Sequence, residues 1–185
     1  SGRSSNVASK QRISLHTAFA DISVFREGVE LPQNIAAAAG TEFVDGNSLE
    51  RDVPMKEGTT LVVDAIRGDI RVEGTDEDRV RIKAARVIRL QPPATGAVSA
   101  RAPVALEALA LGVESLEDRL TVRTSIRDDA AALGLTYYRV DLVIQCPRTA
   151  AVKLRGISGH TTLSGIGGAV VVEQDEGTVS LEHCK

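Results

Sequence analysis

The sequence contains no tryptophan and little aromatic surface: Phe19, Phe25, Phe43, Tyr137 and Tyr138 are all it has in 185 residues. Its apolar content of 43% must therefore build a core from Val, Ile, Leu and Ala, which suits thin layers of stacked strands better than a bulky globular centre. The same scarcity leaves little to stack on sugar rings or nucleobases. An excess of positive charge is also missing, with 22 Lys+Arg against 25 Asp+Glu and a net charge of −3, so a general nucleic-acid binder is excluded. No run approaches the roughly 20 apolar residues that cross a bilayer; the longest are residues 35–39 and 108–111. Cysteine is scarce too. Cys146 and Cys184 permit one disulfide, but two free thiols, at least one of them buried, are the expectation. The chain starts at Ser1 rather than Met, which reads as a removed leader or anchor, or as a start inside a longer product.

What the sequence does have is a nine-residue register. Counting from Ala150, Gly159, Gly168 and Gly177, the positions two and four further on are Val152/Leu154, Thr161/Leu163, Val170/Val172 and Val179/Leu181. Each unit is a short strand with one inward face and a small residue where the backbone turns. An earlier copy reads Gly68-Asp69-Ile70-Arg71-Val72, followed by Val80-Arg81-Ile82 after the acidic turn 75–78. A nine-residue unit cannot bury its own apolar face, so the core grows only as units stack. Two strands per coil of eighteen residues give a flattened β-solenoid or roll, the favoured all-β reading. Antiparallel hairpins in a β-sandwich meander are the alternative, and sequence does not decide between them. Strands ending on an open edge need a cap or a partner at the C-terminal end of the stack.

The rest of the chain divides at residue 60. Residues 1–59 show no repeat and read as an N-terminal arm or irregular edge, with short strands near 13–15 and 22–25, an Ala-rich helical turn at 34–40, and turns around Asp45-Gly46-Asn47 and Pro54. This segment either covers one end of the stack or orders on a partner. Residues 60–185 form the repeat-containing β domain. Strands are expected at 61–66, 69–73, 79–87, 113–115 and 120–125, with residues 136–145 the longest candidate. One short helix is expected at 103–111, with Val104, Leu106, Leu109 and Leu111 on one side and Gly112 ending it.

The residues Leu61-Val62-Val63, Gly68 through Gly74, Val80-Arg81-Ile82, Val143 through Pro147 and Gly159 through Leu181 resemble a bacterial putative adhesin family, a domain of unknown function whose members carry repeated Gly-x-Val-x-Val units. The match spans roughly residues 60–183. This resemblance implies an all-β solenoid or roll located outside the cytoplasm. It carries over no catalytic residue, because the family has no agreed ones. Residues 1–59 have no counterpart in it, and the repeats stop at Lys185 where the family usually continues.

Candidate chemistry is sparse. Asp76, Glu77 and Asp78, with Asp69 and Glu73 nearby, lack EF-hand spacing and read as a solvated turn rather than a calcium site. Asp69, Arg71, Arg79 and Arg81 are the groups with which a solenoid lyase groove would be imitated, although nothing in their spacing requires it. His16, His160 and His183 are scattered, and His183 with Cys184 would point to opposite faces of a strand. Arg67-Gly68-Asp69 is a tripeptide that some cell receptors read, but glycine is expected there from the repeat alone. Arg79, Arg81 and Lys83 alternate with Val80, Ile82 and Ala84 and project from one face, with Arg71 alongside. They are either a solvated outer face or a docking stripe for an acidic protein surface or lipid head groups. Gly68, Gly159, Gly168 and Gly177 are the structural turn glycines.

The expectation is a non-catalytic extracytoplasmic surface or scaffold module, adhesin-like or an accessory subunit docked on a larger membrane or envelope complex. It would need no cofactor and no metal, and its partners would be proteins, not nucleic acid. The alternatives are a carbohydrate-binding or carbohydrate-cleaving solenoid and a periplasmic sensor module.

Overall fold

The computed structural model describes residues 13–23, 43–46, 48–91 and 98–184. The described elements, in chain order, are β1 (Ile13–Ser23), β2 (Phe43–Asp45), β3 (Leu49–Pro54), β4 (Thr60–Arg67), β5 (Ile70–Thr75), β6 (Arg79–Leu90), α1 (Val98–Glu107), β7 (Leu109–Ser115), β8 (Arg119–Ile126), a 3-10 turn (Asp128–Ala131), β9 (Leu135–Pro147), β10 (Ala151–Ser164) and β11 (Val170–Glu182). The protein is all-β, with its strands joined in one sheet that curls into a nearly closed, barrel-like form.

The curl follows from bent strands. β10 holds two nine-residue units in one strand that turns at Gly159, so it, rather than the expected 136–145 segment, is the longest strand. Its first half pairs parallel with β4, Val152 opposite Leu61 and Leu154 opposite Val63. Its second half pairs parallel with β5, Thr161 opposite Ile70 and Leu163 opposite Val72. One strand thus feeds two arms. The β4 arm continues parallel to β8 and then antiparallel to β7; the β5 arm continues parallel to β9 and then antiparallel to β6, which β2 and β3 flank. On its other side β10 pairs parallel with β11 at a constant offset of eighteen residues, Val152 with Val170 through Ser164 with Glu182. β1 then pairs parallel with β11, so the edge of β11 is covered from within the chain.

The core lies between the arms in columns. Leu120, Leu61, Val152 and Val170 form one row, and Val122, Val63, Leu154 and Val172 the next, all buried. Across the bend, Leu142, Ile70, Thr161 and Val179, then Ile144, Val72, Leu163 and Leu181, repeat the arrangement. All eight inward positions read from the nine-residue register are therefore buried. Each Val or Leu among them contributes about 1.5–3 kcal/mol when removed from water, which a single unit cannot collect.

The corner is a column of glycines. Gly68, Gly159 and Gly177 have φ of 139°, 137° and 114°, conformations open to glycine and costly to other residues. They also sit one above another: a Cβ on Gly159 would lie 2.1 Å from the Gly68 carbonyl oxygen, and one on Gly177 would lie 1.8 Å from that of Gly159. Gly168, without a left-handed φ, is needed because a Cβ would meet the Ala150 carbonyl at 2.1 Å. Beneath the column sits Gln174, only 2% exposed, which fills the space above Gly156. Its amide donates to the Gly159 and Glu176 carbonyls at 2.5 and 2.8 Å and accepts from the Thr161 hydroxyl at 2.6 Å.

The helix differs from its expected place. It occupies Val98–Glu107 rather than 103–111, and Leu109 and Leu111 belong to β7, where Leu109–Ser115 pairs antiparallel with Leu120–Ile126. Its buried face is Ala102 and Ala105, while Val104 is 48% exposed. Hairpin pairing satisfies the backbone of 109–115 and buries Leu109, which outweighs the weak helical periodicity. Gly112 therefore lies inside a strand and ends no helix. Arg86 closes α1 instead, donating to the Leu106 carbonyl at 2.9 Å. The helical turn expected at 34–40 lies outside the described residues.

Candidate functional site

The outer face of β3, β6, β9 and β5 carries a patterned set of charges. Alternation along β6 buries Val80, Ile82 and Ala84 and turns Arg79, Arg81 and Lys83 outward, as the pattern predicts. Arg71 lies on the same face, in the row of Lys83 but two strands away, with half-exposed Val143 of β9 between them. The four cations are thus brought to one surface, three of them together and the fourth across a gap.

Each is also matched with a carboxylate. β3 runs antiparallel to β6 and sets Glu50 opposite Lys83 and Asp52 opposite Arg81. Lys83 reaches Glu50 at 3.2 Å, Arg79 reaches Asp52 at 2.9 Å, Arg81 reaches Glu77 at 2.7 Å and Asp52 at 3.7 Å, and Arg71 reaches Glu73 at 2.6 Å. The surface is a chequerboard of paired charges rather than a bare basic stripe. A shallow open depression lies in its middle, lined by Glu50, Asp52, Arg81, Lys83, Val143 and Gln145. Ion pairs this exposed contribute up to about 1 kcal/mol each and leave the charges available to a second partner.

A second polar feature follows the glycine corner. The Asp141 carboxylate accepts the Asp69 N–H at 2.9 Å, and the Asp69 carboxylate accepts the His160 N–H at 2.9 Å, while His160 Nδ1 stands 3.2 Å away. These carboxylates tie neighbouring strands of the sheet together. In Arg67-Gly68-Asp69 the glycine is the corner, the aspartate holds the neighbouring strand β10 at His160, and the Arg67 guanidinium stands 5.7 and 5.8 Å from the rings of Tyr137 and Tyr138. The tripeptide is accounted for by the architecture.

The acidic cluster does not converge. Asp76 faces Arg148, Glu77 faces Arg81 and Glu73 faces Arg71, each in a different direction of pairing. Among the described residues no group of three or more His, Cys, Asp or Glu side chains is placed to hold a metal ion. Both cysteines are free. Burial pushes the Cys146 thiol up to about 12 and raises that of half-buried Cys184 as well. Burial that disfavours the thiolate lowers a thiol's reactivity.

No protein-family profile matches the chain, and no curated protein matches it. Some solved structures are similar to it. A putative cell adhesion protein from Clostridium sporogenes is 9% identical, with a TM-score of 0.42 over 74% of this chain and 99% of that one. A putative adhesin from Bacteroides fragilis is 14% identical, with a TM-score of 0.42 over 75% of this chain and 56% of that one. A putative lipid binding protein from Parabacteroides distasonis is 9% identical, with a TM-score of 0.30 over 74% of this chain and 62% of that one. Likeness at this level assigns no function.

Sequence reasoning missed Glu50 and Asp52, the residues that turn the stripe into a chequerboard. Their signal was present in Leu49-Glu50-Arg51-Asp52-Val53, a charged segment whose acids alternate as the cations of β6 do. Only the antiparallel pairing joins the two. No helix among the described residues is long and apolar enough to cross a membrane.

Proposed function

We propose that the chain is a non-catalytic scaffold module of the cell envelope: a short β-solenoid, held outside the cytoplasm, that works through its faces. It acts as an adhesin-like element or as an accessory subunit seated on a larger membrane complex. The observation that carries this reading is the eighteen-residue parallel register of β10 and β11, continued onto β4 and β5. Such stacking yields regular faces suited to broad contacts. Charges matched across strands favour recognition of a wide complementary surface over reaction at one bond. Arg71, Arg79, Arg81 and Lys83, with side chains 46–63% exposed, are the docking residues of this reading. Their partner carries its own alternating charges, and its hold weakens with salt.

The test is isolation from native envelope membranes in mild detergent, followed by sizing and mass spectrometry of what co-migrates. Stoichiometric co-migration with a membrane complex supports the accessory subunit, and glutamate substitutions at Arg81 and Lys83 should then release the chain. Migration alone as a small particle sinks that form of the proposal and leaves the free adhesin. A carbohydrate-binding module is the weaker reading, since Arg67 already stands near the rings of Tyr137 and Tyr138.

A further inference from the structure

β7 forms one edge of the sheet. Among the described residues β8 is the only strand with which it pairs. The Arg127 N–H donates to the Ala108 carbonyl at 2.9 Å and the Leu116 N–H to the Arg119 carbonyl at 2.8 Å. In this register the even-numbered residues of β7 bond to β8, and the odd-numbered ones turn their N–H and C=O groups away from it. The Leu109 carbonyl meets the Arg86 guanidinium at 3.5 Å, and α1 ends close by at Glu107. The stretch that the described residues leave open is therefore 111–115, with Val113 at its midpoint.

This edge lacks the devices that discourage strand pairing. β3, beside β6, carries Glu50, Arg51, Asp52 and Pro54, whereas residues 109–113 of β7 hold no charge and no proline. A core row also runs out here. Val172, Leu154, Val63 and Val122 are buried in line, and the row continues to Val113, which is only half-buried. Leu111, opposite buried Thr124, is half-buried too. One further strand along β7 would cover both.

We infer that two copies of this chain associate through β7, antiparallel and related by a two-fold axis at Val113. A second copy is favoured because the edge is complementary to itself. In this register Val113 faces Val113, Leu111 faces Ser115 and Gly112 faces Glu114 of the other copy, so valines meet at the centre of the inner face and no like charges are opposed. Glu114 is exposed and has no ion pair among the described residues. Beyond Gly112 of the second copy, in the same row, stands Arg123, whose side chain is 64% exposed and meets Asp64 through Nε at 3.3 Å. Two strand spacings, about 9.6 Å between Cα atoms, separate Glu114 from it, and the glycine sets no side chain in the way. The two-fold axis makes this contact twice. It also keeps both inner faces on one side, so the row that ends at Val113 runs on into the second molecule. This association does not depend on the envelope role proposed above.

The test is cross-linking by register in the full chain carrying Cys184→Ser. Residues facing each other as a hydrogen-bonded antiparallel pair lie about 5.5 Å apart at Cα, inside the roughly 4.4–6.8 Å that a disulfide spans. Val113→Cys should therefore link to itself under mild oxidation, giving doubled mass under denaturing, non-reducing conditions in a yield that rises with concentration. The two copies of Ser115→Cys would stand about 13 Å apart, and they should link only when mixed with Leu111→Cys. No linked dimer of Val113→Cys, or equal linking by Ser115→Cys alone, would overturn the inference. Sedimentation velocity of the unsubstituted chain should show a reversible dimer, which Glu114→Arg at its exposed position should weaken about tenfold. A chain that stays monomeric at millimolar concentration, or a dimer indifferent to Glu114→Arg, would equally overturn it.

Discussion

Replacing Gly159 by alanine tests the corner column directly. Its φ of 137° is costly for any residue with a Cβ, by about 1–3 kcal/mol. The added methyl would also stand 2.1 Å from the Gly68 carbonyl oxygen and 2.6 Å from its carbon. Both are backbone atoms, so no side chain can swing away and the neighbouring segments must part by about 1 Å, an overpacking penalty of about 1–3 kcal/mol. Together these give about 2–6 kcal/mol, a large part of the 5–15 kcal/mol typical of a domain. In a chain of this size the melting temperature should fall by about 4–24 °C. Urea unfolding followed by circular dichroism measures the loss, with two internal comparisons. Gly58 has φ of 81° but nothing within 4 Å of an added Cβ, so Gly58→Ala reports conformational strain alone and should cost about 1–2 kcal/mol. Gly112 lies in β7 without a left-handed φ, and a Cβ there would meet only the Arg123 carbonyl at 3.8 Å. Gly112→Ala should be neutral or stabilising by about 0.5 kcal/mol. Equal losses for Gly159→Ala and Gly58→Ala would refute the backbone contact as the reason for the glycine.

Other substitutions probe the remaining features. Gln174→Ala leaves the Thr161 hydroxyl and the Gly159 carbonyl without the amide that joins them and should cost about 2–4 kcal/mol in the same urea assay. Asp52→Asn removes the carboxylate shared by Arg79 and Arg81; stability should change by less than about 1 kcal/mol, while retention on anionic vesicles at low salt should rise, as a sedimentation assay would read. The thiols should label with a disulfide reagent in a fixed order, half-buried Cys184 first and Cys146 only on unfolding. Because the folded Cys146 thiol ionises near about 12 and the unfolded one near 9.0, its contribution to stability is complete below pH 9.0 and drains as pH rises through about 12. Cys146→Ala should flatten that alkaline loss in a pH series of melts.

The all-β character and its inward positions were legible because their signal is local. Val152, Leu154, Val170 and Val172 keep phase with the small residues before them, and burial of one face with period two admits few other placements. The pairing of β1 escaped notice for a physical reason. Ala20 stands opposite Gly177 and Thr17 opposite Gln174, so neither the glycine spacing nor the apolar alternation marks the segment until β11 supplies the register. The helix was misplaced because Leu109 and Leu111 satisfy helical spacing as well as strand alternation. Pairing with Ile126 and Thr124, seventeen and thirteen residues further on, decides between them. The charged face was half legible: alternation showed the cations of β6, but their counter-charges come from β3, and cross-strand pairing at that separation leaves no periodic trace.

The constant register of β10 on β11 turns the molecule into a ruler with a fixed graduation. Inserting one further eighteen-residue strand unit between those strands would widen the sheet by a single strand spacing, about 4.8 Å. Every existing face would keep its chemistry. An insertion of seventeen or nineteen residues would instead turn the downstream strand inside out, placing its charges in the core. Length in this architecture therefore changes only in whole graduations.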